Sequence, residues 1–330
     1  MASFLQDRRQ WNAKELMDSV SPRFSSPNKK LMFDLAFNSP SSPPGAIGYT
    51  RWRHRPLPER FDAVQPRVNV VEQAGFFDYL HDRKGNTVHW HLNFANNDVF
   101  GAWATSLLAQ DELQVVEHPT LIALRLSAKR AGISMYCLED GNPTPILITN
   151  IERRLQLATA PNAAVGRPNG LYGFRFAKAT HEQLVGATTV FEKPQLSNIL
   201  AIEAPLCATG TYTVSQIKDI LITAFSGFAA ARDESRLSMA SEDVAIHSGY
   251  WGCGAYGGNR VAMALLQMIA AQLAGIQQLV LHVGDPSGHA PFEEATGIFK
   301  NISLHPNLQT SQLIREIVAM KFQWGASDGN

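Results

Sequence analysis

Hydrophobic and polar positions divide the chain into two regimes, with the change near residue 66. Beyond it, short apolar runs alternate with longer amphipathic stretches. Val68-Asn69-Val70-Val71-Glu72 reads as a strand, and Thr87-Val88-His89-Trp90-His91-Leu92-Asn93-Phe94 alternates with a period of two. Pro145-Ile146-Leu147-Ile148-Thr149, the run 198–204, Val244-Ala245-Ile246-His247 and the run 278–283 are almost wholly apolar, as expected of strands covered on both faces. Helical spacing is expected over residues 105–114, from Pro119 through Leu121, Ile122 and Leu124, and over 213–232, 261–274 and 310–320. Strands separated by helices predict an α/β fold: a largely parallel or mixed sheet with helices on both faces.

Residues 1–65 are punctuated differently. Ser25-Ser26-Pro27-Asn28 and Ser39-Pro40-Ser41-Ser42-Pro43-Pro44-Gly45 rule out continuous helix or central strand there, and 29–37 fits one short helix or strand. The expected organisation is an irregular Pro/Ser-rich N-terminal arm over 1–65, lying on a single catalytic domain over 66–330. The chain shows no internal repeat.

Composition narrows the function. Lys+Arg and Asp+Glu both number 29, so the formal charge is zero, which argues against a protein that grips nucleic-acid backbone. The short cluster Arg51-Trp52-Arg53-His54-Arg55 reads as a solvated surface turn. Cys137, Cys207 and Cys253 are odd in number and widely spaced, which fits a reducing compartment better than a disulfide framework. The N-terminus lacks an apolar signal region, and no apolar run reaches the length of a membrane span. The expected setting is cytoplasmic, or a host cytosol if the protein is delivered there as an effector.

Two segments carry chemistry. Between the strand 244–247 and the helix 261–274, five glycines fall within Gly249-Tyr250-Trp251-Gly252-Cys253-Gly254-Ala255-Tyr256-Gly257-Gly258. Glycines let backbone N–H groups approach a ligand, and the following helix adds the partial positive charge of its N-terminus, so the turn suits a diphosphate. Packing alone is the plainer explanation. Gly252-x-Gly254-x-x-Gly257 also satisfies a dinucleotide-binding fingerprint, but the 45 residues beyond Asp285 are too few for the rest of such a domain. The second segment follows the strand 87–94: Asn96-Asn97-Asp98, then a helix holding Gln110-Asp111-Glu112. From spacing alone, the two carboxylates fit simple charge placement near a helix N-terminus better than they fit a site. His89 and His91 share a strand face, but with no third ligand in view they are not read as a metal site.

Together these segments resemble the poly(ADP-ribose) glycohydrolase branch of the macrodomain family. The glycine-rich turn is similar to its T-G-N-W-G-C-G-A-F-G-G-D loop, Asn93-Phe94-Ala95-Asn96 to its D-F-A-N, and Gln110-Asp111-Glu112 to its Q-E-E. Ile199 to Ala204 resembles its I-x-A-I-D-A strand, and Val283-Gly284-Asp285 its F-G-D. The resemblance, spanning about residues 68–320, implies a macrodomain-like mixed sheet and an ADP-ribosyl glycohydrolase. It implies that Glu112 protonates the leaving group and then activates water, with Asp111 contacting the distal ribose. Asn96 would hold ribose hydroxyls. Gly254, Ala255 and Tyr256 would cradle the diphosphate, with the Tyr256 ring over the ribose, and Gly252 and Gly257 of the same loop would also belong to the ligand site. Gln110 belongs to the same motif, and Val71-Glu72 resembles an I-E pair that recognises adenine.

Two departures shift the expected substrate. The family's glycine triplet falls on Phe100-Gly101-Ala102, and its loop asparagine on Tyr250. A phenyl ring and a methyl group, followed by Trp103, should narrow the pocket. Asp98 is placed to pair with a guanidinium through two hydrogen bonds. The expected activity is therefore that of effector-type (ADP-ribosyl)arginine hydrolases, which release single ADP-ribose units from a modified protein. An ADP-ribose-binding module without turnover and a poly(ADP-ribose) glycohydrolase are the alternatives. No cofactor or metal is required, and neither nucleic acid nor membrane is an expected partner.

Overall fold

A computed structural model describes residues 2–38, 45–61, 67–79, 86–205, 208–304 and 308–328; Cys207 and most of the Ser39 to Gly45 stretch lie outside these. The strands are β1 (Leu5–Asn12), β2 (Ala46–Trp52), β3 (Asn69–Gln73), β4 (Val88–Ala95), the short β5 (Leu138–Glu139) and β6 (Asn142–Pro143), β7 (Ile146–Leu157), β8 (Thr188–Glu203), β9 (Val244–Gly249) and β10 (Gln278–His282). All but β5 and β6 form one sheet in the order β1-β2-β7-β8-β4-β9-β10-β3. Its β8-β4-β9-β10-β3 half is parallel and its β1-β2-β7-β8 half antiparallel. The mixed α/β sheet expected from the apolar runs is the one observed.

Helices cover both faces. On one side lie α1 (Ala13–Asp18), α2 (Pro27–Phe37), α3 (Gln110–Glu117), α4 (Thr120–Arg130), α5 (Arg175–Lys178) and α6 (His181–Ala187); on the other α7 (Val214–Met239), α8 (Arg260–Ala274), α9 (His289–Ile302) and α10 (Thr310–Ala319). Strand alternation assigns the side chains. Trp90, Leu92, Leu200, Ile202, Ile246 and Leu279 pack on the α7–α8 layer with Phe228, Met263 and Leu266. Ile146, Ile148, Ile199 and Ala201 meet Leu121 and Leu124 of α4. Burying each such side chain contributes about 1.5–3 kcal/mol. The helix expected at 261–274 starts at Arg260, where the Asn259 side chain accepts the Ala262 N–H at 3.0 Å, and stops at Gly275 in the left-handed region at φ 67°.

Three expectations change. The segment 1–65 is not an irregular arm: β1 and β2 extend the sheet, and Met32 and Ala36 of α2 pack against Leu155 and Leu157 of β7. Edge strand β1 carries Asp7, Arg8 and Arg9, so it lacks a clean two-residue apolar pattern. The Arg51 cluster is not a solvated turn. Arg51 and Trp52 are buried in β2, and Arg51 donates to the Tyr136 carbonyl at 3.0 Å and Thr144 Oγ1 at 2.9 Å. Finally, the helix expected from residue 105 begins at Gln110, after turns, which places Asp111 and Glu112 in its first turn. Among the described residues, no helix is long and apolar enough to cross a membrane.

Candidate active site

A cleft of about 490 Å³ opens beyond the carboxyl ends of the parallel strands, where ligands of open α/β sheets bind. The glycine-rich turn forms one wall. A Cβ on Gly249 would stand 2.9 Å from the His282 carbonyl, so β9 and β10 approach here only because the side chain is absent. Gly252 (φ 74°) runs against Pro205, and its carbonyl accepts the Gly258 N–H at 2.9 Å, closing the loop. Gly254 and Cys253 line the cleft, and burial pushes the Cys253 thiol up, away from thiolate chemistry. Arg260, the first residue of α8, also lines it, 5.3 Å over the Tyr250 ring. An arginine and a helix N-terminus beside a glycine loop form an anion-binding wall.

The first turn of α3 forms the opposite side. Gln110 lines the cleft, yet its amide is committed to β4: Nε2 donates to the Leu92 carbonyl at 3.0 Å and Oε1 accepts the Phe94 N–H at 2.8 Å. Its role is to pin the helix start to the strand end. Asp111 and Glu112 are buried just behind, and neither is among the lining residues. Asp111 accepts from Asn93 Nδ2 at 3.0 Å; Glu112 accepts the Ala109 N–H at 2.8 Å. Burial raises both carboxyls above their usual range, and for Asp111 the neighbouring Glu112 charge adds to the rise. Two cations oppose this, Arg125 at Asp111 alone and Lys29 at both. Lys29 of α2 is 2% exposed, donates to the Ala102 carbonyl at 3.1 Å, and its charge acts on both carboxyls while burial lowers its own pKa to about 8.

The remaining expected residues divide. Asn96 and Tyr256 meet, Nδ2 to hydroxyl, at 3.3 Å, bridging the β4 end to the glycine loop, with Ala255 beside them in that loop. Gly257 (φ 62°) packs against the Gly325 carbonyl rather than facing the cleft. Glu72 pairs with His289 Nδ1 at 2.9 Å, outside the lining. Asp98 is paired within the protein: Arg125 donates to both its oxygens, at 2.8 and 2.7 Å. Nor does Phe100 narrow the cleft. It adopts φ 59°, a conformation costly for a non-glycine residue, and its ring is buried in the α4-side core.

Several cleft residues carried no sequence signal of their own. Phe76 stacks on Tyr172 at 6.3 Å and 9°, forming an aromatic end beside Phe77 and His282. Arg260 was legible only as the residue after the glycine turn. The paired histidines have another use: His89 Nδ1 meets His247 Nε2 at 2.9 Å, and His247 Nδ1 meets His282 Nε2 at 3.2 Å, with His91 stacked on His247. Among the described residues no group of three potential ligands is arranged to hold a metal ion.

Known proteins offer a comparison. Residues 172–287 match the family profile described as poly(ADP-ribose) glycohydrolase (PARG), macro domain fold. Similar solved structures include the poly(ADP-ribose) glycohydrolase of Deinococcus radiodurans with ADP-ribose, 12% identical, covering 88% of this chain and 95% of that one, at a TM-score of 0.42. A second crystal form with ADP-ribose is 14% identical, covering 92% and 96%, at 0.35. The apo form is 10% identical, covering 92% and 97%, at 0.37.

Proposed function

We propose that this chain, a PARG-like macrodomain protein over residues 172–287, hydrolyses the glycosidic bond at the anomeric carbon of ADP-ribose in polymers or adducts. The observation that carries the reading is the pairing of an anion-binding wall, Gly254 and Arg260 at the start of α8, with buried carboxyls in the first turn of α3. Diphosphate on the first wall directs the distal ribose toward the second, and the aromatic end at Phe76 and Tyr172 accepts the base.

Burial raises the Glu112 carboxyl above its usual range, which favours the protonated form that a general acid needs. Glu112 gives that proton to the glycosidic oxygen as the C1″–O bond breaks, and positive charge develops on the ribose. Water adds to the anomeric carbon, and the proton it loses returns to Glu112. Asp111, held by Asn93, orients the ribose hydroxyls. The reaction consumes one water and releases ADP-ribose. Among the described residues Cys137 and Cys253 are free, compatible with a reducing, cytoplasmic setting.

An arginine-specific reading loses its main supports. Asp98 already holds Arg125, and the Phe100 ring points into the core. The glycohydrolase alternative is therefore the better supported. The test incubates the protein with poly(ADP-ribose) and with arginine-, serine- and glutamate-linked ADP-ribosylated proteins, measuring released ADP-ribose. Polymer should be degraded, and Glu112→Gln should slow release by roughly 10²–10⁴-fold while ADP-ribose still binds. Release from arginine-linked substrate alone would restore the narrower reading; full activity of Glu112→Gln would remove the assigned acid.

A further inference from the structure

The segment after α10 runs back over the glycine-rich loop in two unlike parts. Up to Trp324 it is anchored. The Trp324 ring stacks on Tyr212 at 4.2 Å and 13°, the Trp324 backbone N–H donates to the Gly210 carbonyl at 2.9 Å, and the Gln323 carbonyl accepts from Asn259 Nδ2 at 3.1 Å. The Tyr212 hydroxyl in turn accepts the Asn259 N–H at 2.8 Å, so this anchor belongs to the start of α8. Residues 325–328 differ. All four are exposed, and two backbone bonds tie them to the loop: Gly325 N–H to the Gly257 carbonyl at 2.7 Å, and a long one from Asp328 N–H to the Gly254 carbonyl at 3.4 Å.

Their course ends in the cleft. Ala326 and Asp328 line it, and the two Asp328 carboxylate oxygens lie 3.1 and 3.9 Å from the point where a side chain would leave Gly254. That is the wall with the α8 N-terminus and Arg260, built for anionic oxygens. A carboxylate there carries the same charge sign and the same kind of acceptor as a phosphate. A diphosphate and this carboxylate cannot share the wall without like-charge repulsion.

We propose that residues 325–328 are an autoinhibitory strap, hinged after Trp324, whose Asp328 carboxylate occupies the anion cradle at Gly254 and competes with an incoming diphosphate. The inference rests on reading the cleft as an ADP-ribose site. Lifting the strap breaks its two backbone bonds to the loop, one of them long, together with the contacts of Ser327 and Asp328, and leaves the Trp324 anchor in place, so α8 and its loop keep their shape.

Calorimetric titration of the full chain with ADP-ribose and with inorganic pyrophosphate tests it, comparing wild type, Asp328→Asn and Asp328→Glu. Asp328→Asn should bind both probes about threefold to tenfold more tightly, with the gain shrinking at high salt, while Asp328→Glu stays near wild type. Tighter pyrophosphate binding with no ADP-ribose binding to any protein would support the strap and remove the functional reading. ADP-ribose binding that is unchanged or weakened in Asp328→Asn would overturn the strap and leave that reading standing. Failure of both probes on all three proteins would overturn both.

Discussion

Asp111 and Glu112 make a local case for how burial couples chemistry to stability. Both carboxyls titrate above their usual range in the native chain, so the native state keeps protons that the unfolded chain has released. Stability therefore falls as pH rises from the ordinary carboxylate range to the native values, and levels off above them. Asp111→Asn keeps the acceptor for Asn93 but abolishes the buried charge. Its melting midpoint should exceed that of wild type by more at about pH 8 than at about pH 5; thermal melts at an equal margin in both buffers would refute this. The Gln110-Asp111-Glu112 triplet was legible because it follows a well-patterned strand. Lys29 was not, since the cation that tempers these acids enters from a Pro/Ser-rich region some 80 residues earlier. The pairing of Asp98 was equally hidden: its partner Arg125 lies in the middle of α4, beyond a turn-rich loop and all of α3, and no sequence pattern marks the pair.

At the scale of elements, α3 is held at both ends by polar side chains, Gln110 half-buried and Glu117 buried. Gln110 ties its first residue to β4, and Glu117 ties its last to β7. Glu117 accepts from Arg153 Nε at 2.8 Å and from the Leu157 N–H at 3.0 Å, and Arg153 donates onward to the Asp78 carbonyl at 2.6 Å. Removing one member of a buried ion pair strands the other. Arg153→Met should cost roughly 3–5 kcal/mol, read from urea unfolding; a loss below about 1 kcal/mol, the worth of an exposed pair, would show the link to be marginal. The helix itself was expected five residues too early, because residues 105–109 carry apolar spacing but form turns that bring the chain across the strand ends. The strands β4, β9 and β10 and the helix α8 were read nearly to the residue, since uninterrupted burial leaves little competing pattern.

For the whole molecule, the largest difference lies in the N-terminal region. The sheet does not respect a division at residue 65: β1 pairs with β2, and β2 with β7, while Arg8 of β1 reaches Glu234 of α7 at 2.7 Å. A chain starting at residue 67 should therefore lack a cooperative thermal transition by circular dichroism, having lost two strands and the α2 cover of β7. A sharp melt would instead establish 67–330 as a self-sufficient unit. The same outer strand has another consequence. An open sheet invites a foreign strand onto its unpaired rim, the usual first step toward runaway self-assembly. Here the rim strand presents Asp7, Arg8 and Arg9 in succession, with Arg9 and Asp7 already bonded at 3.0 Å. An intruding strand would have to strip water from all three charges before gaining its first ladder bond, so at its N-terminal edge the sheet is finished as well as ended.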